Sequence, residues 1–175
     1  MPDLISGPAI TEFFADGFEH TAWRMETRRA YGVASETEDF QRWLRGEHVL
    51  SDPGRPWLRT IRKLTSSGKR VERVRLLDDP PTDYQRWILE DVSDNIDAGE
   101  DIRYLPRAEA VRLPHAPHRD FWLFDSRMAG VFHFDGDRSL GMELTDDPAT
   151  VLAGCQIRDA AWHYARPVAA LSLST

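Results

Sequence analysis

The sequence predicts a mixed α/β (α+β) fold: one domain over residues 1–175, with a central mixed sheet, a C-terminal antiparallel meander and a closing helix. Three observations carry this. Residues Val71 to Leu105 read strand, helix, strand. Residues Phe121 to Leu144 read as three short strands joined by turns. Asp147-Pro148 then opens a final helical stretch, with proline at the first helical position.

Taken in order, Ile10, Phe13, Phe14 and Phe18 fit one face of a short first helix. Thr21, Trp23, Met25 and Thr27 alternate with Ala22, Arg24 and Glu26, the period of a half-buried strand. Glu36 to Gly46 is helical, with Phe40, Trp43 and Leu44 on one side and Gly46 as the stop. From about Pro56 to Ser67 a third helix sets Trp57, Leu58, Ile61 and Leu64 toward the core. Its outer stripe is Arg55, Arg59, Arg62 and Lys63.

Along the strand Val71 to Leu77, Val74 and Leu76 face one way, Arg73 and Arg75 the other. Thr82 and Gln85 form a capping box, and Asp83 suits the positive end of the helix it opens. That helix carries Tyr84, Trp87, Ile88, Val92 and Ile96, ends at Gly99, and returns through the strand Ile102 to Leu105. Beyond it, Phe121 to Phe124 is a buried strand with Asp125-Ser126 as its turn. Met128 to Phe134 follows, and Gly136 supplies the positive φ that the next hairpin needs. Leu140, Met142 and Leu144 alternate as the third strand. The closing helix turns Val151, Leu152, Cys155 and Trp162 inward, and residues 167–175 form a flexible tail. Clusters of Pro and Gly at Ser51–Pro56, Asp78–Pro81 and Leu113–Pro117 read as loops between elements, not domain linkers.

Composition excludes several classes. Hydrophobic residues make up 41% of the 175, which is too many for a disordered chain. A single cysteine, Cys155, rules out an internal disulfide or a multi-cysteine metal site and suits a reducing cytoplasm. No basic, apolar leader opens the chain, and no apolar run approaches the length of a membrane span. A cytoplasmic protein is expected. The net charge of −7 hides an asymmetry: Arg55 to Arg75 holds eight basic residues against one acid, Glu72. That segment therefore carries +7 and the remainder −14. Such a dipolar chain either presents a cationic face to an anionic partner or pairs its two halves internally.

Candidate chemistry is sparse. His118-Arg119-Asp120 and then Asp125 reproduce part of the phospholipase D motif, His-x-Lys followed by four residues and Asp. There a histidine attacks a phosphodiester and the lysine balances its charge. Asp120 stands in the lysine place, where a carboxylate repels phosphate, so any fold likeness is to a degenerate phospholipase D-like domain. His118 and Asp125 remain the catalytic alternative to no catalytic residues at all. His115, His118 and His133 are the metal alternative, weakened because His-x-x-His in a proline-bounded loop lacks helical facing. No serine elbow, P-loop or dinucleotide fingerprint is present, and no cofactor is expected.

The basic residues are the stronger candidates. Arg55, Arg59, Arg62, Lys63, Arg73, Arg75 and Arg103 form a set for an anion or a partner surface, against the alternative of a merely solvated face. The acidic pI and the absence of a helix-turn-helix or zinc-finger pattern disfavour direct nucleic-acid binding.

The segments FEHTAWRMETRRAYGV, DPGRPWL, RVRLLDDPPTDYQRW, NIDAGEDIRYLPR, DFWLFDSR and ELTDDPATV run from about Phe18 to Trp162. Through them the chain resembles an uncharacterised actinobacterial family, a domain of unknown function. Its core here spans about residues 18–166. In that family DFWLFD recurs and the preceding histidines do not. Members are often encoded near helix-turn-helix regulators, so the resemblance implies an intracellular regulatory or accessory role and brings no catalytic residues. The sequence thus favours a non-enzymatic protein with a protein partner, such as a DNA-binding regulator. The alternative is an enzyme or binding domain for a phosphate-bearing or other anionic molecule. The sequence does not set the oligomeric state.

Overall fold

A computed structural model describes residues 3–32, 34–49, 52–115, 117 and 119–172. Eight strands form one sheet: β1 Leu4–Ile5, β2 Thr21–Glu26, β3 Arg70–Leu77, β4 Asp101–Pro106, β5 Phe121–Phe124, β6 Met128–Asp135, β7 Arg138–Thr145 and β8 Arg166–Pro167. Their spatial order is β1-β7-β6-β5-β2-β3-β4-β8. β2, β3 and β4 run parallel, and every other pairing is antiparallel. The helices are α1 Pro8–Asp16, α2 Ala34–Leu44, α3 Pro56–Ser66, α4 Asp83–Asp97 and α5 Pro148–Tyr164. The mixed α/β sheet, the β3-α4-β4 unit, the meander β5-β6-β7 and the closing helix are all present.

Local chemistry accounts for the element ends. Thr82 accepts a hydrogen bond from the Gln85 backbone while the Gln85 side chain reaches back, completing the capping box of α4. Asp147 caps α5 through the Thr150 N–H at 2.8 Å. Between β5 and β6, Asp125 and Ser126 hold φ of 50° and 55°, the paired left-handed conformation that a tight hairpin turn requires.

The two faces of the sheet are covered by different helices. Phe14 and Phe18, from α1 and the residues after it, join Leu58, Ile61 and Leu64 of α3 over Ala22, Val71, Trp122, Phe124 and Met142. On the reverse, Val151, Ile157 and Ala161 of α5 meet Trp23, Met25, Val74, Leu76 and Leu123. β2 is therefore a central strand covered on both faces, not the half-buried strand that its alternation suggests. Polar alternation misleads here because its charged residues find partners inside.

Three side chains expected inward are exposed: Leu152 by 59%, Leu44 by 45% and Ile96 by 41%. In α5 the contact runs instead along small residues. A Cβ added at Gly154 would come within 3.3 Å of the Phe121 ring, so the helix sits close to the sheet on that side. None of the described helices is long and apolar enough to cross a membrane.

Candidate functional site

Along β2 and β3, the face that carries the apolar Ala22 and Val71 turns charged toward the carboxyl ends. Alternation puts Arg24 and Glu26 of β2 beside Arg73 and Arg75 of β3 on that face, because the strands pair in register, Arg24 with Arg73. Arg73 Nη1 reaches Glu26 Oε1 at 2.6 Å, and its Nη2 reaches Glu100 Oε1 at 2.6 Å. Arg75 Nε donates to Glu26 Oε2 at 2.5 Å. Arg24 lies between Glu26, at 3.3 Å, and Asp120, at 3.7 Å. Glu26, Arg73, Glu100 and Asp120 are all buried.

Three guanidinium groups thus face three carboxylates, and the cluster balances. Burial pushes the Glu26 carboxyl up, but Arg73, Arg75 and Arg24 outweigh it and hold the group far below the ordinary carboxylate range. Burial likewise acts to lower Arg73, and Glu100 and Glu26 reverse it. The cluster keeps its charges and has none to spare for a ligand.

Asp120, which precedes β5, is saturated. Its Oδ1 accepts from the Thr27 N–H and the Thr27 hydroxyl, both at 2.8 Å, and its Oδ2 accepts from the Tyr31 hydroxyl at 2.5 Å. Burial first, then Glu26 and Asp120, raise the Tyr31 phenol well above its ordinary value, so it stays a donor. Beside these groups a cleft of about 260 Å³ opens, lined by Thr27, Arg28, Arg119 and Asp120. Phe132, His133 and Phe134 complete it.

The sequence-derived candidates separate in space. His118 lies outside the described residues. Asp125 is at the far end of β5 from Asp120, where its carboxylate accepts the backbone N–H groups of Glu19, His20 and Thr21 at 2.6, 2.8 and 2.8 Å. Burial raises its pKa, and those three donors bring it below the usual value. His115 is exposed and its Nε2 contacts Gln156 Oε1 at 2.5 Å. His133 Nε2 lies 2.8 Å from Glu143 Oε2. Among the described residues no three metal-ligating side chains converge.

The basic candidates fall into three groups. Arg73 and Arg75 lie in the interior cluster. Arg103 pairs in register with Val74 and so projects to the opposite face, 3.8 Å over the Trp162 ring. Arg55 ties α3 to α4 through Asp91 at 2.8 Å. Arg59 and Lys63 are exposed on the outer side of α3, with Arg62 half-buried beside them. Arg59 donates to the Gly54 carbonyl and Arg62 to the Pro53 carbonyl. Sequence reasoning did not single out Arg24, Glu26, Glu100, Arg28 or Arg119. The one signal available was Arg24 and Glu26 alternating like Arg73 and Arg75.

A family model described as a domain of unknown function, DUF6879, matches residues 8–171. No curated protein matches the sequence. Among solved structures, NucT from Helicobacter pylori aligns over 95% of this chain and 98% of its own, with a TM-score of 0.51 and 11% identity. That likeness is one of fold.

Proposed function

The chain belongs to the DUF6879 family, and on that premise we propose that it is a non-enzymatic accessory protein acting through a protein partner. The observation that carries this reading is the saturated, buried Asp120. The place where phosphodiester chemistry calls for a lysine holds a carboxylate caged by Thr27 and Tyr31, inside a charge-balanced cluster. Each guanidinium of that cluster already faces a carboxylate, so the cluster itself offers no free cation to offset a phosphate.

The surface that supports partner binding is α3. Among the described residues, the arginines without a carboxylate in salt-bridge reach are Arg59, Arg62, Arg70 and Arg119. The other arginines all have one. Two of those four, Arg59 and Arg62, sit on α3 with Lys63, whereas Arg70 opens β3 on the side of Glu72 and Val74, away from α3. In a chain of net charge −7, an acid-free ridge of this kind is an open anion-complementary surface. An acidic protein segment suits it better than nucleic acid, because the rest of the chain, strongly acidic outside this segment, repels an extended polyanion. The resemblance to an actinobacterial family encoded near helix-turn-helix regulators makes such a regulator our choice of partner.

The test is in-cell crosslinking with the tagged chain as bait, wild type against the double variant Arg59→Glu, Lys63→Glu. A defined partner captured by the wild type and lost by the variant supports the reading. Capture that survives the charge reversal, or hydrolysis of a phosphodiester substrate by the purified chain, overturns it. A gel shift of duplex DNA that weakens steeply with salt would replace the protein partner with nucleic acid.

A further inference from the structure

We propose that the cleft beside Asp120 is a binding site for a small, flat carboxylate, a ligand distinct from the protein partner of α3. Arg119 is exposed, has no carboxylate partner among the described residues, and lines this cleft. Arg28 stands with it. The Arg28 guanidinium lies 4.3 Å from the Phe134 ring, and its Nη2 is engaged by the Gly136 carbonyl and by Asp137, at 2.5 and 2.9 Å. Stacking and that anchor fix the plane of the group, while its Nε has no hydrogen-bond partner. With both Nη2 hydrogens engaged, a guanidinium held flat in this way offers a ligand its fixed positive charge and not a fork.

The charges set the class of ligand. Asp120 is answered by Arg24 at 3.7 Å, and Arg28 is answered by Asp137. Among the lining side chains themselves, Arg28 and Arg119 stand against the one carboxylate of Asp120, so the lining is short of one negative charge, while His133 is held by Glu143 at 2.8 Å. A monoanion meets that deficit. A phosphate dianion brings a second charge toward the Asp120 carboxylate, which is itself part of the lining. Phe134 is half-buried and supplies the apolar part of the lining, with the buried Phe132 beside it at a centroid distance of 6.1 Å. At about 260 Å³ the cleft falls short of the roughly 300 Å³ at which sites for drug-sized ligands begin, so the occupant is small. An aryl carboxylate combines one negative charge, a planar apolar body and the right scale.

The experiment is titration calorimetry on the full chain alone, so a missing protein partner does not affect the readout. The probes are phenylacetate and indole-3-acetate, with acetate, 2-phenylethanol and phenyl phosphate as comparisons. The aryl carboxylates are expected to bind saturably, and each comparison compound to bind at least about tenfold more weakly. Arg119→Gln and Arg28→Gln should each weaken the aryl carboxylates by about tenfold or more, whereas Arg59→Gln leaves them unchanged. Arg119 is exposed, so its variant folds even if replacement of Arg28 perturbs the hairpin. No saturable binding of either aryl carboxylate below about 10 mM overturns the proposal, as does unchanged binding by Arg119→Gln. Tighter binding of phenyl phosphate than of phenylacetate overturns the monoanion assignment.

Discussion

Arg73 and Glu26, on adjacent parallel strands, meet at 2.6 Å with both side chains buried. Each also has a second partner, Glu100 for Arg73 and Arg75 for Glu26, so the pair is the centre of a chain of charges inside the protein. Removing Glu26 takes from Arg75 its one carboxylate and from Arg73 one of two, and leaving a desolvated charge uncompensated costs more than the intact pair contributes.

Glu26→Gln should therefore cost about 3–5 kcal/mol of unfolding free energy, measured by urea titration. Replacing Glu26, Arg73, Arg75 and Glu100 together with apolar residues of similar volume should recover most of that loss. A single-variant cost below about 1 kcal/mol would mean that the cluster is hydrated.

Stability should fall on acidification, and the sign follows from the depressed carboxyls. Glu26 and Asp125 both titrate below their ordinary values when folded. Their contribution is complete above the unfolded values, about pH 4, and is lost progressively as pH drops below that point. Glu36 behaves oppositely. Burial raises its carboxyl, so its contribution is present at low pH and fades as pH climbs through the folded value. Urea midpoints taken across pH 3–7 test both, and Glu36→Gln should remove only the second component.

Asp125→Ala should destabilise by about 1–2 kcal/mol, since three backbone N–H groups at the entry to β2 lose their acceptor. Asp125→Asn keeps one acceptor oxygen and should restore part of the loss. Thermal unfolding of the two variants side by side separates an anchoring role from a chemical one.

Arg59→Glu with Lys63→Glu should leave the unfolding free energy within about 0.5 kcal/mol of wild type, because neither residue has an acidic partner to lose. A larger drop in a denaturant melt would assign these side chains to stability and remove them from the partner surface.

Much of the architecture was legible in the sequence because it is local. Thr82 with Gln85, Asp147 before Pro148, and Gly136 in its turn depend on neighbours a few residues away, and the structure reproduces each of them. The apolar spacing of Leu58, Ile61 and Leu64 likewise fixed the inner side of α3. Tertiary structure alone decided what the charges do. Arg73 and Arg75 alternate like a solvated strand face, yet their partner Glu26 is 47 and 49 residues away and Glu100 is 27 away from Arg73. Only the parallel pairing of β3 with β2 on one side and with β4 on the other brings Glu26 and Glu100 into reach. Nor does local sequence distinguish Arg59 from Arg55, four residues apart on the same stripe, although one is exposed and the other is bound to Asp91 of α4. Backbone propensity acts over a turn of helix, whereas electrostatic pairing acts through space, and so the fold could be read along the chain while the division of its arginines into structural and available could not.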